Sequence, residues 1–230
     1  MNEPQFDAVF WDIGGVILRL ESVQQSHHAF VTALLEAYDS PHSPEKALET
    51  WRSTLGAYFR ETAGTNYRPA RDGYRRAVDA ILSSDVEDVD WQPLFEQVYA
   101  EYAEPNPDAI EAIERLADTA VHLGIISDVD HEEGQQILEN FGVLGAFDSF
   151  TSSEAVGRKK PDPAMFETAL EKAGVDASNA VMIGDRYSHD MQGGRDTGMT
   201  TIAYGADDGP AVDYRIDDLR EVLSIVGLDV

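Results

Sequence analysis

The chain has 230 residues, 43% of them hydrophobic, so it is long enough to bury one sizeable core and a smaller second unit. Its 43 acidic and 17 basic residues give a formal net charge of -26, which argues against nucleic acid as a partner. Because the acids are scattered, we interpret them as an adaptation to a salt-rich cytoplasm and not as an acidic binding tail.

Cysteine is absent, which excludes disulfides and thiol catalysis. The segment Met1–Asp7 lacks the basic stretch and apolar run of a signal peptide. No apolar stretch approaches the length of a membrane span. We therefore expect a soluble, cytoplasmic protein without a membrane partner; the sequence specifies no oligomeric state.

The first predicted element is a short buried strand over Ala8–Trp11, followed directly by Asp12. After it, the chain from Arg19 to Glu104 has an almost entirely helical pattern. The predicted helices run from a Ser22 cap to Tyr38, from Ser43-Pro44 to Arg60, from Ala70 to Leu82 and from Asp90 to Tyr102. Pro105-Asn106-Pro107 ends this segment, because closely spaced prolines cannot continue a helix. The sequence thus predicts an all-helical insert at 19–104 within a unit formed by 1–18 and 105–230.

Strands and helices alternate in the rest of the chain. Further strands are predicted at Val121–Ile126, Ala180–Ile183 and Thr200–Tyr204, and helices at Asp108–Asp118, Glu132–Phe141, Pro163–Ala173 and Asp190–Thr197. This alternation indicates parallel βαβ units, and hence an α/β fold with a Rossmann-like parallel sheet flanked by helices. Such sheets place their chemistry at the carboxyl ends of the strands.

Acidic residues stand at two of those strand ends. Asp12 precedes Gly14-Gly15, where the backbone allows a ligand to approach closely. It can be a nucleophile, a metal ligand, both, or simply a turn cap. Asp185 and Asp190 follow the strand at Ala180–Ile183, and converging carboxylates of this kind favour a hard cation such as Mg²⁺.

Two further polar residues complete the pattern. Lys160 can offset clustered carboxylates and a phosphoryl group, or can be an ordinary surface lysine. Ser127 can donate its hydroxyl to a phosphate oxygen, or can cap a turn or helix. The order of nucleophile candidate, hydroxyl, lysine and acid pair along the chain makes the combined signal strong.

On these motifs the chain resembles the haloacid dehalogenase (HAD) superfamily of hydrolases over essentially its whole length. The resemblance implies a sheet of strand order 5-4-1-2-3 with a helical cap inserted after the first motif. It also implies that Asp12 attacks phosphorus to form an aspartyl-phosphate, with Lys160 as the second catalytic residue. Ser127, Asp128 and Lys160 are then expected to bind the phosphate, and Asp12, the Gly14 main chain, Asp185 and Asp190 to bind Mg²⁺.

The chain departs from this family at Gly14. Phosphatases of the family usually carry an aspartate there, two residues after the nucleophile, as general acid and base. Its absence removes a group worth about 10²–10⁴-fold in rate. Asp128, Asp130, His131 and His189 are alternative proton donors, although each also has an ordinary capping or surface interpretation.

Three functions follow from this comparison. The first is a magnesium-dependent phosphatase of a small phosphorylated metabolite, the second a metal-free 2-haloacid dehalogenase, and the third a phosphate- and magnesium-binding domain that has lost turnover. Residues of the helical insert can line a substrate pocket or pack its helices; they are Trp51, Tyr58, Phe59, Tyr67, Arg68, Arg71 and Tyr74.

Overall fold

The computed structural model describes residues 5–61, 64–82 and 89–228, so residues 1–4 of the amino-terminal segment considered above lie outside it. The chain divides into two compact units: Met1–Arg19 with Glu104–Val230, and Leu20–Ala103. No described helix combines the length and apolar character needed to span a bilayer.

The larger unit is built on a parallel sheet of six described strands in the order β3-β2-β1-β4-β5-β6. The strands are β1 (Ala8–Trp11), β2 (His122–Ser127), β3 (Ser149–Ser152), β4 (Ala180–Gly184), β5 (Thr200–Tyr204) and β6 (Tyr214–Ile216). The predicted fold class is therefore confirmed, and β6 extends the expected order by one edge strand.

Ten α-helices lie in the described residues. They are α1 (Leu20–Ala37), α2 (Pro44–Arg60), α3 (Ala70–Leu82), α4 (Gln92–Tyr102), α5 (Ala109–Ala117), α6 (His131–Asn140), α7 (Ser153–Val156), α8 (Pro163–Ala173), α9 (Gln192–Thr197) and α10 (Glu221–Ile225). Ser43 caps α2 as predicted, accepting a hydrogen bond from the Lys46 amide. The Ser22 cap was wrong, because α1 already begins at Leu20 and buries Ser22 in its first turn.

The core of the larger unit lies between the sheet and the helices that cover it. All four residues of β1 are buried, as expected of a central strand covered on both faces. Gly124 of β2 leaves room for the Phe10 ring, since a Cβ at position 124 would lie 2.5 Å from that ring. Phe10 and Phe166 of α8 belong to one buried cluster, and truncating either to alanine typically costs about 3–5 kcal/mol.

The smaller unit has its own aromatic core. Trp51 of α2 stacks on Tyr74 of α3 with ring centroids 5.8 Å apart, and both rings contact Phe95 of α4. Tyr58 is buried beneath the Arg68 guanidinium, which lies 3.9 Å from its ring centroid. These aromatic residues therefore pack the helices, whereas Phe59 is 45% exposed.

Candidate active site

Neighbouring strand ends bring the first and last motifs together. Asp12 directly follows β1, and its amide donates to the Ile183 carbonyl of β4 at 3.0 Å. This hydrogen bond sets Asp12 beside Gly184, whose successor is Asp185. Ser127 is the buried last residue of β2, on the other side of β1. The site therefore lies at the carboxyl edge of the sheet, where such folds bind their ligands.

Three carboxylates converge at this edge. Asp12, Asp185 and Asp190 each offer one oxygen, and these oxygens lie within 4.8 Å of one another. Two glycines allow this approach: a Cβ at Gly15 would lie 2.0 Å from Asp185 Oδ2, and one at Gly184 would lie 2.1 Å from the Asp190 Cβ. Any side chain at either glycine would push an acid out of the cluster.

Lys160 lies beneath the cluster and is completely buried. Its Nζ is 2.9 Å from Asp12 Oδ2 and 2.6 Å from Asp190 Oδ1, and it donates to the Ile126 carbonyl at 2.9 Å. Burial alone would lower the pKa of Lys160, but Asp12 and Asp190 raise it above its usual range. The ammonium is therefore charged and lies between two carboxylates and a backbone carbonyl.

Asp128 organises the polar surroundings of the lysine. Its Oδ1 accepts from the Lys160 amide and the Ser153 hydroxyl, both at 2.8 Å, and its Oδ2 accepts from Arg186 at 2.9 Å. Burial would raise the pKa of Asp128, but Lys160 and Arg186 hold it below its usual range. Asp128 is therefore an anion whose two oxygens are both engaged.

Asp185 is the least satisfied acid of the cluster. Burial, followed by the charges of Asp12 and Asp190, raises the pKa of Asp185 to about 7. Its buried Oδ1 accepts no hydrogen bond from the described residues. A divalent cation would relieve this repulsion, and an all-oxygen donor set suits Mg²⁺. The residues present therefore fit the metal that the resemblance implies.

Asp190 comes from a turn that differs from the prediction. The predicted helix at Asp190–Thr197 is preceded by a π-helical turn over Tyr187–Met191, and α9 proper begins at Gln192. Asp190 Oδ2 accepts from the Arg186 amide at 2.9 Å, while the Asp190 amide donates to the Arg186 carbonyl. These paired bonds hold the acid towards Lys160, and π-turns of this kind occur frequently at functional sites.

Gly14 leaves space at the position of the usual acid. A Cβ built on Gly14 has no atom within 4 Å, and its φ lies outside the left-handed region. Asn106 fixes the adjoining loop, because its side-chain amide donates to the carbonyls of Gly15 at 2.8 Å and Val16 at 2.9 Å.

The alternative proton donors are held by local partners. His131 begins α6, its Nδ1 lies 3.0 Å from the Ser152 hydroxyl, and its amide donates to Glu154. His189 Nδ1 lies 3.0 Å from the Ser188 hydroxyl, and burial followed by the nearby Arg186 charge lowers the pKa of His189. Asp130 is the buried residue before α6.

Sequence reasoning missed three contributors to this site: Arg186, Ser153 and Asn106. Arg186 carried an available signal, since it is a basic residue in a strongly acidic chain and directly follows Asp185. The Ser153 contact spans 25 positions along the chain and the Asn106 contacts span about 90, so neither had a local signal.

A parallel sheet with an aspartate at its central strand end, a buried lysine and a neighbouring acid pair defines a class of hydrolase. The model of the haloacid dehalogenase-like hydrolases matches residues 6–198, and the chain belongs to that family.

Among curated relatives, the chain is 29% identical over 134 residues to the glyceraldehyde 3-phosphate phosphatase of Methanopyrus kandleri, covering 54% of this chain and 58% of that protein. It is 27% identical over 170 residues to the ribulose-1,5-bisphosphate 5-phosphatase of Halopiger xanaduensis, covering 73% and 70%. The matches to the first few curated relatives span about half of those proteins' lengths.

Among solved structures, a HAD phosphatase from Thermococcus onnurineus superposes with a TM-score of 0.74 at 26% identity, covering 96% of this chain and 98% of that one. A 2-haloacid dehalogenase from Pseudomonas syringae superposes with a TM-score of 0.69 at 24% identity, covering 96% and 97%. The second likeness concerns the fold alone.

Proposed function

We propose that the protein is a magnesium-dependent phosphatase of small phosphorylated metabolites and that it acts through an aspartyl-phosphate on Asp12. The observation that carries this proposal is the arrangement of Asp12, Asp185 and Asp190 around one point, with the buried Lys160 ammonium between two of them. Several curated relatives are phosphatases of small phosphate compounds, which supports the same class of substrate.

The reaction has two steps. In the first, a carboxylate oxygen of Asp12 attacks phosphorus, the bond to the leaving oxygen breaks, and an aspartyl-phosphate forms. In the second, water attacks that phosphorus, inorganic phosphate leaves, and the Asp12 carboxylate is regenerated. The Ile13 amide, which donates to Asp12 Oδ1 at 2.8 Å, and Lys160 together hold the nucleophile in one orientation.

Mg²⁺ held by Asp12, Asp185, Asp190 and the Gly14 carbonyl would neutralise charge on the phosphoryl oxygens. Asp185 Oδ1 and Asp190 Oδ1 accept no hydrogen bond from the described residues, and Asp190 also contacts Lys160 and the Arg186 amide. We assign phosphate binding to the Ser127 hydroxyl, and to Asp128 a positioning role, because its oxygens already accept three hydrogen bonds.

Gly14 supplies no proton to the leaving group. We therefore expect turnover to favour leaving groups of low pKa, which depart without proton transfer. The same glycine favours a second candidate, a domain that binds phosphate and Mg²⁺ without turnover. A metal-free dehalogenase is disfavoured, because burial, followed by the charges of Asp12 and Asp190, raises the pKa of Asp185, and its Oδ1 accepts no hydrogen bond from the described residues.

We place the protein in a salt-rich cytoplasm and assign the helical unit Leu20–Ala103 as the cap. The scattered acidic residues support the first assignment, and the insertion of that unit directly after the Asp12 loop supports the second.

The test is a turnover screen in molar potassium chloride, with and without Mg²⁺. Its substrates are glyceraldehyde 3-phosphate, ribulose 1,5-bisphosphate, pyrophosphate and p-nitrophenyl phosphate. Asp12→Asn should abolish turnover, and Asp185→Ala should raise the Mg²⁺ requirement by orders of magnitude. Asp196→Asn, on the exposed side of α9, is the matched control and should leave turnover unchanged. A turnover rate that is unchanged by a metal chelator and by Asp12→Asn would contradict the proposal.

A further inference from the structure

A second cation, besides Lys160, lies beside the carboxylate cluster. The Arg186 guanidinium follows Asp185 in the chain, and its Nε lies 3.9 Å from Asp185 Oδ1. The carboxylates of Asp12, Asp190, Asp128 and Asp185 all lie close enough to act on its charge. Because a guanidinium stays protonated in proteins, Arg186 is a fixed positive charge beside the carboxylate cluster.

Lys160 already has protein partners around its ammonium. It is completely buried, its Nζ lies 2.9 Å from Asp12 Oδ2 and 2.6 Å from Asp190 Oδ1, and it donates to the Ile126 carbonyl at 2.9 Å. A phosphate oxygen would therefore compete with these partners for the three N–H groups of the ammonium. Lys160 holds and neutralises the carboxylates.

Arg186 has the opposite properties. Its side chain is 43% exposed, and one terminal nitrogen donates to Asp128 Oδ2 at 2.9 Å. A guanidinium carries five N–H groups in a planar fork, so this bond leaves the rest of the fork for a ligand. Forks of this kind bind phosphate oxygens by paired, charge-assisted hydrogen bonds.

Asp128 fixes the direction of that fork. Its other oxygen accepts from the Ser153 hydroxyl and the Lys160 amide, so the carboxylate cannot rotate without breaking two hydrogen bonds of 2.8 Å. The pair Asp128–Arg186 thus joins the residue after Ser127 to the residue after Asp185, across 58 positions of the chain.

From this geometry we infer that Arg186 is a phosphate-binding residue of the site, and that Asp128 is the positioning residue that orients it. The inference rests on the proposed function for its ligand, the phosphoryl group of a small metabolite. Arg186 and Lys160 both offset the charge of the carboxylate cluster, so losing Arg186 removes one of these two positive charges.

The experiment is calorimetric titration of inorganic phosphate into the Mg²⁺-loaded protein, which requires no turnover. Arg186→Gln should weaken phosphate binding about 10–100-fold, the loss expected for a charge-assisted hydrogen bond at a partly buried site. Arg186→Lys should recover part of the loss, because it restores the charge without the fork. Arg195→Gln, an exposed arginine paired with Asp213, is the matched control and should bind phosphate within about twofold of wild type.

Asp128→Asn tests the positioning role. It should weaken phosphate binding less than Arg186→Gln does, and in the double variant its effect should disappear, because it acts through Arg186. Phosphate binding that stays within about twofold in Arg186→Gln would overturn the inference. Additive losses in the double variant would overturn the positioning role of Asp128.

The titration also separates this inference from the proposed function. Arg186-dependent phosphate binding without hydrolysis of any phosphate ester would refute the proposed function and leave the inference standing. Hydrolysis by wild type together with unchanged phosphate binding in Arg186→Gln would refute the inference about Arg186 and leave the proposed function standing.

Discussion

The adjacent glycines 14 and 15 allow a sharp test of how the carboxylate cluster is held together. Gly15 has a φ of +77°, and a Cβ there would lie 2.0 Å from Asp185 Oδ2, whereas a Cβ on Gly14 meets nothing within 4 Å. Gly15→Ala and Gly14→Ala therefore add the same methyl group one residue apart, with opposite consequences for Asp185.

Gly15→Ala should have two measurable effects, one on folding stability and one on Mg²⁺ affinity. An alanine in the left-handed region costs about 1–2 kcal/mol of folding free energy. Ordinary contact begins at 3.4 Å, so the Asp185 carboxylate must also move by about 1.4 Å. Because that carboxylate is a proposed metal ligand, Gly15→Ala should weaken Mg²⁺ binding about 10–100-fold, the usual cost of disturbing a ligand's support.

Urea unfolding in molar potassium chloride measures the folding stability, and calorimetric titration measures the Mg²⁺ affinity. Gly14→Ala should stay within about 0.5 kcal/mol of wild-type stability and bind Mg²⁺ like wild type. Equal Mg²⁺ affinity in the two variants would refute the reasoning, because it would mean that Asp185 does not need its observed position.

Three further predictions concern the proton donor, the helical unit and the charged surface. Gly14→Asp should raise turnover on alkyl phosphates and flatten the dependence on leaving-group pKa across an aryl and alkyl series; an unchanged slope would mean that another residue already supplies the proton. Burial lowers the pKa of His27 to about 4, so the fold favours the neutral imidazole. The free energy of unfolding should therefore fall by up to about 3 kcal/mol as pH drops from about 6.5 towards 4. In urea titrations at several pH values, His27→Phe should remove this pH-dependent loss of stability, whereas His28→Phe should not. Lowering potassium chloride from molar to about 0.1 M should greatly lower the melting temperature, because a net charge of -26 is then less screened, and a salt-independent melting temperature would contradict the salt-adapted surface.

The sequence was most informative where a buried strand ends in a polar residue. β1 and β4 are short apolar runs, so the positions of Asp12 and Asp185 at one sheet edge followed from parallel topology. The edge strands β3 and β6 had no such pattern: β3 reads Ser-Phe-Thr-Ser, and two of the three residues of β6 are exposed. Their strand conformation depends on pairing with β2 and β5, which is information from distant parts of the chain.

Local sequence patterns could not predict the hydrogen bonds and ion pairs of the site. The π-turn that presents Asp190 depends on hydrogen bonds with the Arg186 backbone, and periodicity alone predicts an ordinary helix there. The Lys160–Ile126 hydrogen bond, the bond from the Lys160 amide to Asp128 and the Asp128–Arg186 pair join residues more than 30 positions apart along the chain. Sequence motifs thus selected the residues, while their division into binding and positioning roles required the structure.

The most direct test of the account is reductive trapping of the aspartyl-phosphate on Asp12. Borohydride added during turnover of p-nitrophenyl phosphate in molar potassium chloride and Mg²⁺ reduces an acyl phosphate to an alcohol, which converts the aspartate into homoserine. Peptide mass spectrometry should find homoserine at position 12 when substrate is present, and none in its absence or in Asp12→Asn. Sustained turnover with an unmodified Asp12, or homoserine at another aspartate, would contradict it.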